Sequence, residues 1–221
     1  PHQNIFFADR KGDIGMISPG IIPIRNGWDG RWPADGKTLR DTWIGTVPFD
    51  SLPARKNPGS GFLGNANNRL VSENRKHIIT KDWDAPYRAE RLQQLAQVSH
   101  THTLDTSAAW QLDNYSPAAA QLLPLMLAKL PNDLMNNEAI KILKNWDFHM
   151  RRNSSAPLIY NTWVRNFMVH LMRPFDLIDM GPKPNFLILV LSQKPLWCDV
   201  QTTTKKVENC SEALEKSFSL T

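Results

Sequence analysis

Cysteine is nearly absent: the 221 residues hold two, Cys198 and Cys210. Zinc sites draw on several thiols or imidazoles at finger-like spacing, so a zinc module is excluded. An even pair near one end suits a disulfide closing a short loop in an exported protein, with two free buried thiols as the alternative. Long apolar runs are also missing. The run Phe186-Leu-Ile-Leu-Val-Leu191 is the longest, far short of the ~20 residues that cross a bilayer as a helix. The chain opens on Pro1 with no initiator Met and no secretory leader.

Charge of one sign is not concentrated either. The net charge is +5 with a pI near 9.3, but Lys and Arg are scattered, and pairs such as Arg151-Arg152 and Lys205-Lys206 read as solvated surface. Nucleic-acid binding asks for basic clusters interleaved with aromatics on one face, and none is present. The charge therefore serves solubility. No Ser-His-Asp set can be assembled. His100 and His102 would share one face of a strand, but no third metal ligand accompanies them, and they read as loop residues. Internal repeats and low-complexity tracts are absent.

A chain of this length can bury a substantial core. The first third reads as β-structure. Ile5-Phe-Phe-Ala8 and Ile14-Gly-Met-Ile17 flank the turn signal Arg10-Lys-Gly-Asp13, which predicts a hairpin. From Pro19 to Pro33 the prolines and glycines around Trp28 and Trp32 predict an extended loop. Trp43-Ile-Gly-Thr-Val47 predicts a strand, followed by a Pro-bounded turn.

After Asp84 the character is helical. Thr103 or Ser107 starts a helix carrying Trp110 and Leu112, and Ser116-Pro117 reads as a cap with Pro just inside the next helix. That helix runs toward Leu130, with Pro124 expected to interrupt it. Ala139, Ile142, Leu143 and Trp146 mark a third helix, and Ile159, Trp163, Phe167 and Leu171 a fourth. Period alone does not assign residues 186–191. The division expected is a β-rich part over residues 1–83 and a mainly helical part over 84–221.

The stretch with chemistry to offer lies between these parts. In Gly61-Phe-Leu-Gly-Asn-Ala-Asn-Asn68 two glycines thin a strand-like segment, which marks a bulge or a close approach. Asn67 and Asn68 end it with amides that donate as well as accept. The following helix has Asp84 as a cap, Pro86 in its first turn, and Leu92, Leu95 and Ala96 as its buried stripe. Arg88 falls on that stripe, so its guanidinium is expected to point inward, which is costly unless it is paired or faces a wet cleft. Turn chemistry for the asparagines and a solvated arginine are the bland readings.

Several segments in order resemble the penicillin acylase (penicillin amidase) family of N-terminal nucleophile hydrolases. They are Pro19-Gly-Ile-Ile-Pro-Ile-Arg25, Val47-Pro-Phe-Asp-Ser-Leu-Pro53, Asn57-Pro-Gly-Ser-Gly-Phe-Leu-Gly-Asn-Ala-Asn-Asn-Arg69, Asp82-Trp-Asp-Ala-Pro-Tyr-Arg-Ala-Glu-Arg91 and Gln111-Leu-Asp-Asn-Tyr-Ser116. The resemblance runs from about Asn4 to Cys210. It implies an α+β chain contributing to a four-layer αββα fold with an attached helical portion, and an internal part of a β-subunit in a bacterial periplasmic or secreted enzyme.

The function implied is hydrolysis of a linear N-acyl amide (a penicillin, an acyl-homoserine lactone or a lipopeptide side chain) through an acyl-enzyme. The nucleophile would be a residue upstream of Pro1 whose own amine is the base. The remaining β-subunit and a small α-subunit would be its partners. By position, Asn67 matches the family's oxyanion-hole asparagine and Arg88 its active-site arginine. Trp28-Asp-Gly-Arg-Trp-Pro33 matches a loop that supplies one backbone carbonyl to calcium near Gly30. The other calcium ligands fall outside these residues or align poorly, with Glu73 to His77 replacing an acidic stretch, and Asp29 reads as a turn residue. The Cys198–Cys210 disulfide agrees with the family's loop before a C-terminal helix. An inert scaffold or binding module, or a truncated fragment, of the same family is the alternative.

Overall fold

Asp9 builds the first turn. Its carboxylate accepts from the amides of Lys11 at 2.8 Å and Asp13 at 3.0 Å, and Gly12 supplies the positive φ of 89° that closes the loop. Strands β1 (Ile5–Ala8) and β2 (Ile14–Ile17) therefore pair antiparallel, Ile5 facing Ile17 and Ala8 facing Ile14. The structure is a computed structural model, and it describes residues 3–37, 42–98, 101–177, 181–200 and 207–221.

Two small sheets form. β5 (Ala54–Lys56) joins the other edge of β2, giving the order β1-β2-β5. β3 (Pro23–Arg25) pairs antiparallel with β4 (Trp43–Thr46), with a register irregularity at Ile24 and Arg25. The loop expected from Pro19 to Pro33 thus holds a three-residue strand. Pro23 is tolerated because it stands at the strand's first position, where no ladder donor is needed. Ile22, Val47 and Leu52 are buried together, with Ile24 and Ile79 against them.

The segment at residues 61–68 is not a strand. Gly61 and Asn67 both have positive φ, 65° and 64°, which no ladder accommodates, and local asparagine hydrogen bonds take the ladder's place.

Helix α1 (Tyr87–Val98) follows. Its predicted stripe of Leu92, Leu95 and Ala96 is only half-buried, and the helix has no fully buried residue. Described residues divide into two compact units, Pro1–His102 and Thr103–Thr221. α1 thus belongs with the strands, although the compositional shift from strand to helix falls earlier, near residue 83.

The second unit is helical. α2 (Leu104–Gln111) starts at Thr103, whose hydroxyl and that of Thr106 form a reciprocal capping box. α3 (Pro117–Leu127) is capped by Ser116 and runs through Pro124 without a break. Pro124 lies on the exposed face, where the missing N–H leaves a carbonyl to water rather than to the core. α4 (Glu138–Lys144) buries Ile140 and Leu143, while Ile142, expected inside, is exposed. Ile140 and Leu143, three residues apart, share the buried face of this two-turn helix.

α5 (Ala156–Met172) carries Trp163, Phe167 and Leu171 at zero exposure, on the predicted face. α6 (Pro184–Ser192) settles residues 186–191 as helix. α7 (Cys210–Phe218) packs on α5, where the Trp163 indole N–H donates to the Leu214 carbonyl and the Ser217 hydroxyl, both at 3.2 Å. A disulfide joins Cys198 to Cys210, as the sequence suggested, and both cysteines are buried. Beside it, the fully buried Glu208 carboxylate accepts from Lys216 and lies 3.0 Å from His170 Nε2. No described helix is long and apolar enough to cross a membrane. The α+β class read from the sequence is the class observed.

Candidate active site

Asn57 anchors the stretch that leads to the site. With φ at 45° it ends β5, and its side chain accepts from the Ile14 amide at 2.8 Å while donating to Asp13 at 2.7 Å. Asp13 also pairs with Lys56 at 2.6 Å. From this fixed point the chain turns at Gly61 and reaches four residues, 65–68, tied by their own amides.

Asn65 is the hub. Its Nδ2 donates to Asn68 Oδ1 at 3.0 Å, and its Oδ1 accepts from the Asn67 backbone N–H at 3.3 Å. Asn4 Nδ2 donates to the same oxygen at 2.6 Å, and Ser18 donates to Asn4 at 2.5 Å, which links the turn to the β1–β2 hairpin. Asn68 Oδ1 also accepts from the Ala66 amide at 3.1 Å. These bonds hold Asn67 in the left-handed region, which asparagine tolerates better than most residues. A β-branched residue would be strained there.

The first turn of α1 delivers Arg88. Its Nη2 donates to Asn67 Oδ1 at 2.8 Å, to the Ala66 carbonyl at 2.9 Å and to Asp84 Oδ2 at 3.0 Å. The two predicted residues are therefore in direct contact. The inward position expected for Arg88 is not what the structure has: its side chain is 62% exposed. Three oxygens supply the pairing, so burial is not required to hold it, and no described residue covers it. Asp84 does not cap the helix with its carboxylate, which turns to Arg88; its backbone N–H donates to the Asn67 carbonyl at 3.2 Å.

This pairing has a chemical consequence. A guanidinium only donates, so the asparagine must present oxygen to it. The Nδ2 end of the carboxamide then faces the other way. Among the described residues no protein acceptor takes an N–H from Asn67 Nδ2. What results is a pre-oriented donor beside a fixed positive charge, the arrangement that stabilises a developing oxyanion. Next to Arg88, burial pushes the Tyr87 hydroxyl above its ordinary pKa, and the Glu90 carboxylate adds to the shift, so Tyr87 stays neutral. A cavity of about 410 Å³ lies alongside, lined among others by Met16, Phe62, Leu63, Asn68, Ala89 and Gln93. Asn67 and Arg88 themselves do not line it.

Gly30 fits calcium poorly with the residues present. Arg25 Nε would lie 3.1 Å from a Cβ at Gly30, so a guanidinium crowds that backbone, and φ there is 90°. The Asp29 carboxylate is bound to Arg31 at 2.6 Å, and the side-chain hydrogen bond from Arg31 holds its pKa below the ordinary value. Arg69 takes the Glu73 carboxylate. Among the described residues no three carboxylate, imidazole or thiol groups come together. The expected companion of His102, His100, lies outside the described residues.

The sequence named Asn67 and Arg88, which the structure places in contact, but not the Ala66 carbonyl, the Asn65 hub or the double contact of Asp84. The spacing of Asp84 and Arg88, four residues apart at a helix start, is the one signal that could have shown the last.

All of residues 1–221 match the model of the penicillin amidase family. The chain is 29% identical over 164 residues to the penicillin acylase 2 proenzyme of Pseudomonas sp. (strain SE83), covering 74% of this chain and 21% of that protein. It is 34% identical over 194 residues to the acyl-homoserine lactone acylase QuiP of Pseudomonas fluorescens (strain Pf0-1), covering 81% of this chain and 23% of that protein. The chain thus spans roughly a fifth to a quarter of the length of these relatives. Among solved structures, the thermostable penicillin G acylase from Alcaligenes faecalis matches with a TM-score of 0.68 at 21% identity, covering 98% of this chain and 45% of that one. That likeness shows a shared fold.

Proposed function

The chain belongs to the penicillin amidase family, and from that premise we propose that it supplies the oxyanion-binding part of an amidohydrolase cleaving a linear N-acyl amide. A nucleophile from outside these 221 residues attacks the scissile carbonyl carbon. The carbonyl π electrons move to oxygen, and Asn67 Nδ2–H donates to the resulting oxyanion. Collapse breaks the C–N bond, and the proton that the nucleophile's own amine took from the nucleophile passes to the leaving nitrogen. The acyl-enzyme left behind is hydrolysed by water to the free acid. Arg88 holds the carboxamide with its donor outward. One observation carries this reading: Arg88 Nη2 stands 2.8 Å from Asn67 Oδ1.

The acyl amide is a penicillin, an acyl-homoserine lactone or a lipopeptide side chain; relatives named as a penicillin acylase and an acyl-homoserine lactone acylase support the first two. The remaining β-subunit and an α-subunit of the same precursor are the partners. A periplasmic or secreted location agrees with the buried Cys198–Cys210 disulfide. Calcium, where bound, takes most of its ligands from outside these residues. By this reading the 221 residues alone hydrolyse no acyl amide above blank.

The test is the full precursor, wild type against Asn67→Ala, on a small panel of N-acyl substrates. The expected result is a fall in kcat of about 10²–10³ with an unchanged melting temperature. Normal turnover by the variant on every substrate removes Asn67 from the reaction.

A further inference from the structure

We propose that Asp84 is a positioning residue of this site, setting Arg88 so that Asn67 presents its N–H to the reacting carbonyl; this rests on the function proposed above. Asp84 touches both members of the pair. Its Oδ2 lies 3.0 Å from Arg88 Nη2, and its backbone N–H donates to the Asn67 carbonyl at 3.2 Å. A long guanidinium side chain that is 62% exposed has many rotamers open to it. Its other two acceptors, the Ala66 carbonyl and Asn67 Oδ1, are neutral. The carboxylate supplies the charge-assisted bond, the stronger kind, and so selects the rotamer.

Nη2 carries two hydrogens and meets three oxygens. Without Asp84 the guanidinium loses the only anionic partner it has among the described residues and can swing from Asn67. The carboxamide is then free to flip, which puts oxygen where the donor should be. An exposed ion pair of this kind adds little to global stability. A loss of rate without a loss of stability is therefore the signature of positioning rather than of scaffolding.

The experiment uses the full precursor carrying Asp84→Ala, Asp84→Asn, Asn67→Ala and the double variant Asp84→Ala with Asn67→Ala. Asp84→Ala is expected to lower kcat roughly 10- to 100-fold, with KM and melting temperature held. Affinity for a phosphonate mimic of the tetrahedral intermediate should fall in parallel, while the product carboxylic acid binds as before. Asp84→Asn, which keeps a neutral acceptor, should recover part of the rate and serves where the alanine variant does not fold. On the Asn67→Ala background, removal of Asp84 should cost no further rate. Wild-type kcat in both Asp84 variants overturns the proposal, as does a full additional loss in the double variant or a rate loss that merely tracks a lowered melting temperature. Should Asn67→Ala itself turn over normally, the function proposed above fails, and with it this inference. Should only the Asp84 variants be silent, the function stands and Asp84 is a surface residue.

Discussion

Among the described residues, twenty-four buried hydrophobic side chains lie in Thr103–Thr221, while Pro1–His102 has five: Met16, Ile22, Val47, Leu52 and Ala66. The units are of similar length. In the helical one, Trp163, Phe167, Met168 and Leu171 line α5 at or near zero exposure and share one core with residues of α3, α4, α6 and α7. In the other, Ile5, Phe6 and Phe7 of β1 and Trp43 and Ile44 of β4 are each more than two-fifths exposed. There, order comes from asparagine amides and ion pairs rather than from packing. The comparison teaches that the unit holding the candidate site is held locally, by polar bonds of direction, while the other is held by burial, which has none.

The comparison is broken or sharpened first by truncating a core residue in each unit. Trp163→Ala should cost roughly 3–5 kcal/mol, since it leaves a large void in the core and removes the indole N–H from Leu214 and Ser217. Leu52→Ala, in a cluster of three buried side chains, should cost nearer 2 kcal/mol. Denaturant melts of the 221-residue protein, read unit by unit by hydrogen exchange, check both. Equal losses contradict the contrast.

Next is the disulfide. Replacing Cys198 and Cys210 by serine opens a link between residues 12 apart. It should destabilise the helical unit by about 3 kcal/mol on the loop-entropy account, without changing exchange rates at residues 57–68. Smaller again is Glu208→Ala, which deprives His170 and Lys216 of their buried partner and should cost roughly 1–3 kcal/mol, again only in the helical unit.

The smallest effect belongs to the strands. The side-chain hydrogen bond from Lys56, and then that from Asn57, hold the Asp13 carboxyl below its ordinary pKa. The folded hairpin therefore binds that proton less tightly than the unfolded chain does. Its contribution is complete above the ordinary carboxylate range and drains as pH falls through the lowered folded value. Hydrogen exchange at Ile14 should quicken on acidification, and Asp13→Asn should remove most of that pH dependence. A hairpin equally acid-sensitive with asparagine at this position contradicts the assignment.

What could be read from the letters follows this same division. Caps and turns are local, so Ser116-Pro117, the Thr103 start and the Arg10–Asp13 turn were legible. The strand-like reading of residues 61–68 failed because Gly61 and Asn67 take positive φ, a backbone choice stabilised by Asn65 and by distant Asn4. Pro124 was read as a break because exposure, which makes the lost bond cheap, has no local signature. Arg88 was read as inward from helical period, yet the stripe it shares is only half-buried, and its three oxygen partners hold it at the surface. The pairing of Asn67 with Arg88 was legible only through the family resemblance. Asp84 was read as a cap from its place before the helix, whereas its carboxylate turns to Arg88.

The central claim is that Arg88 acts through Asn67, and a double-mutant cycle on the full precursor tests it most directly. Asn67→Ala, Arg88→Ala and the double variant should lower kcat/KM to nearly the same level, within about threefold of one another, as expected for two groups working as a unit. Losses that multiply in the double variant would show two independent contributions and contradict the account.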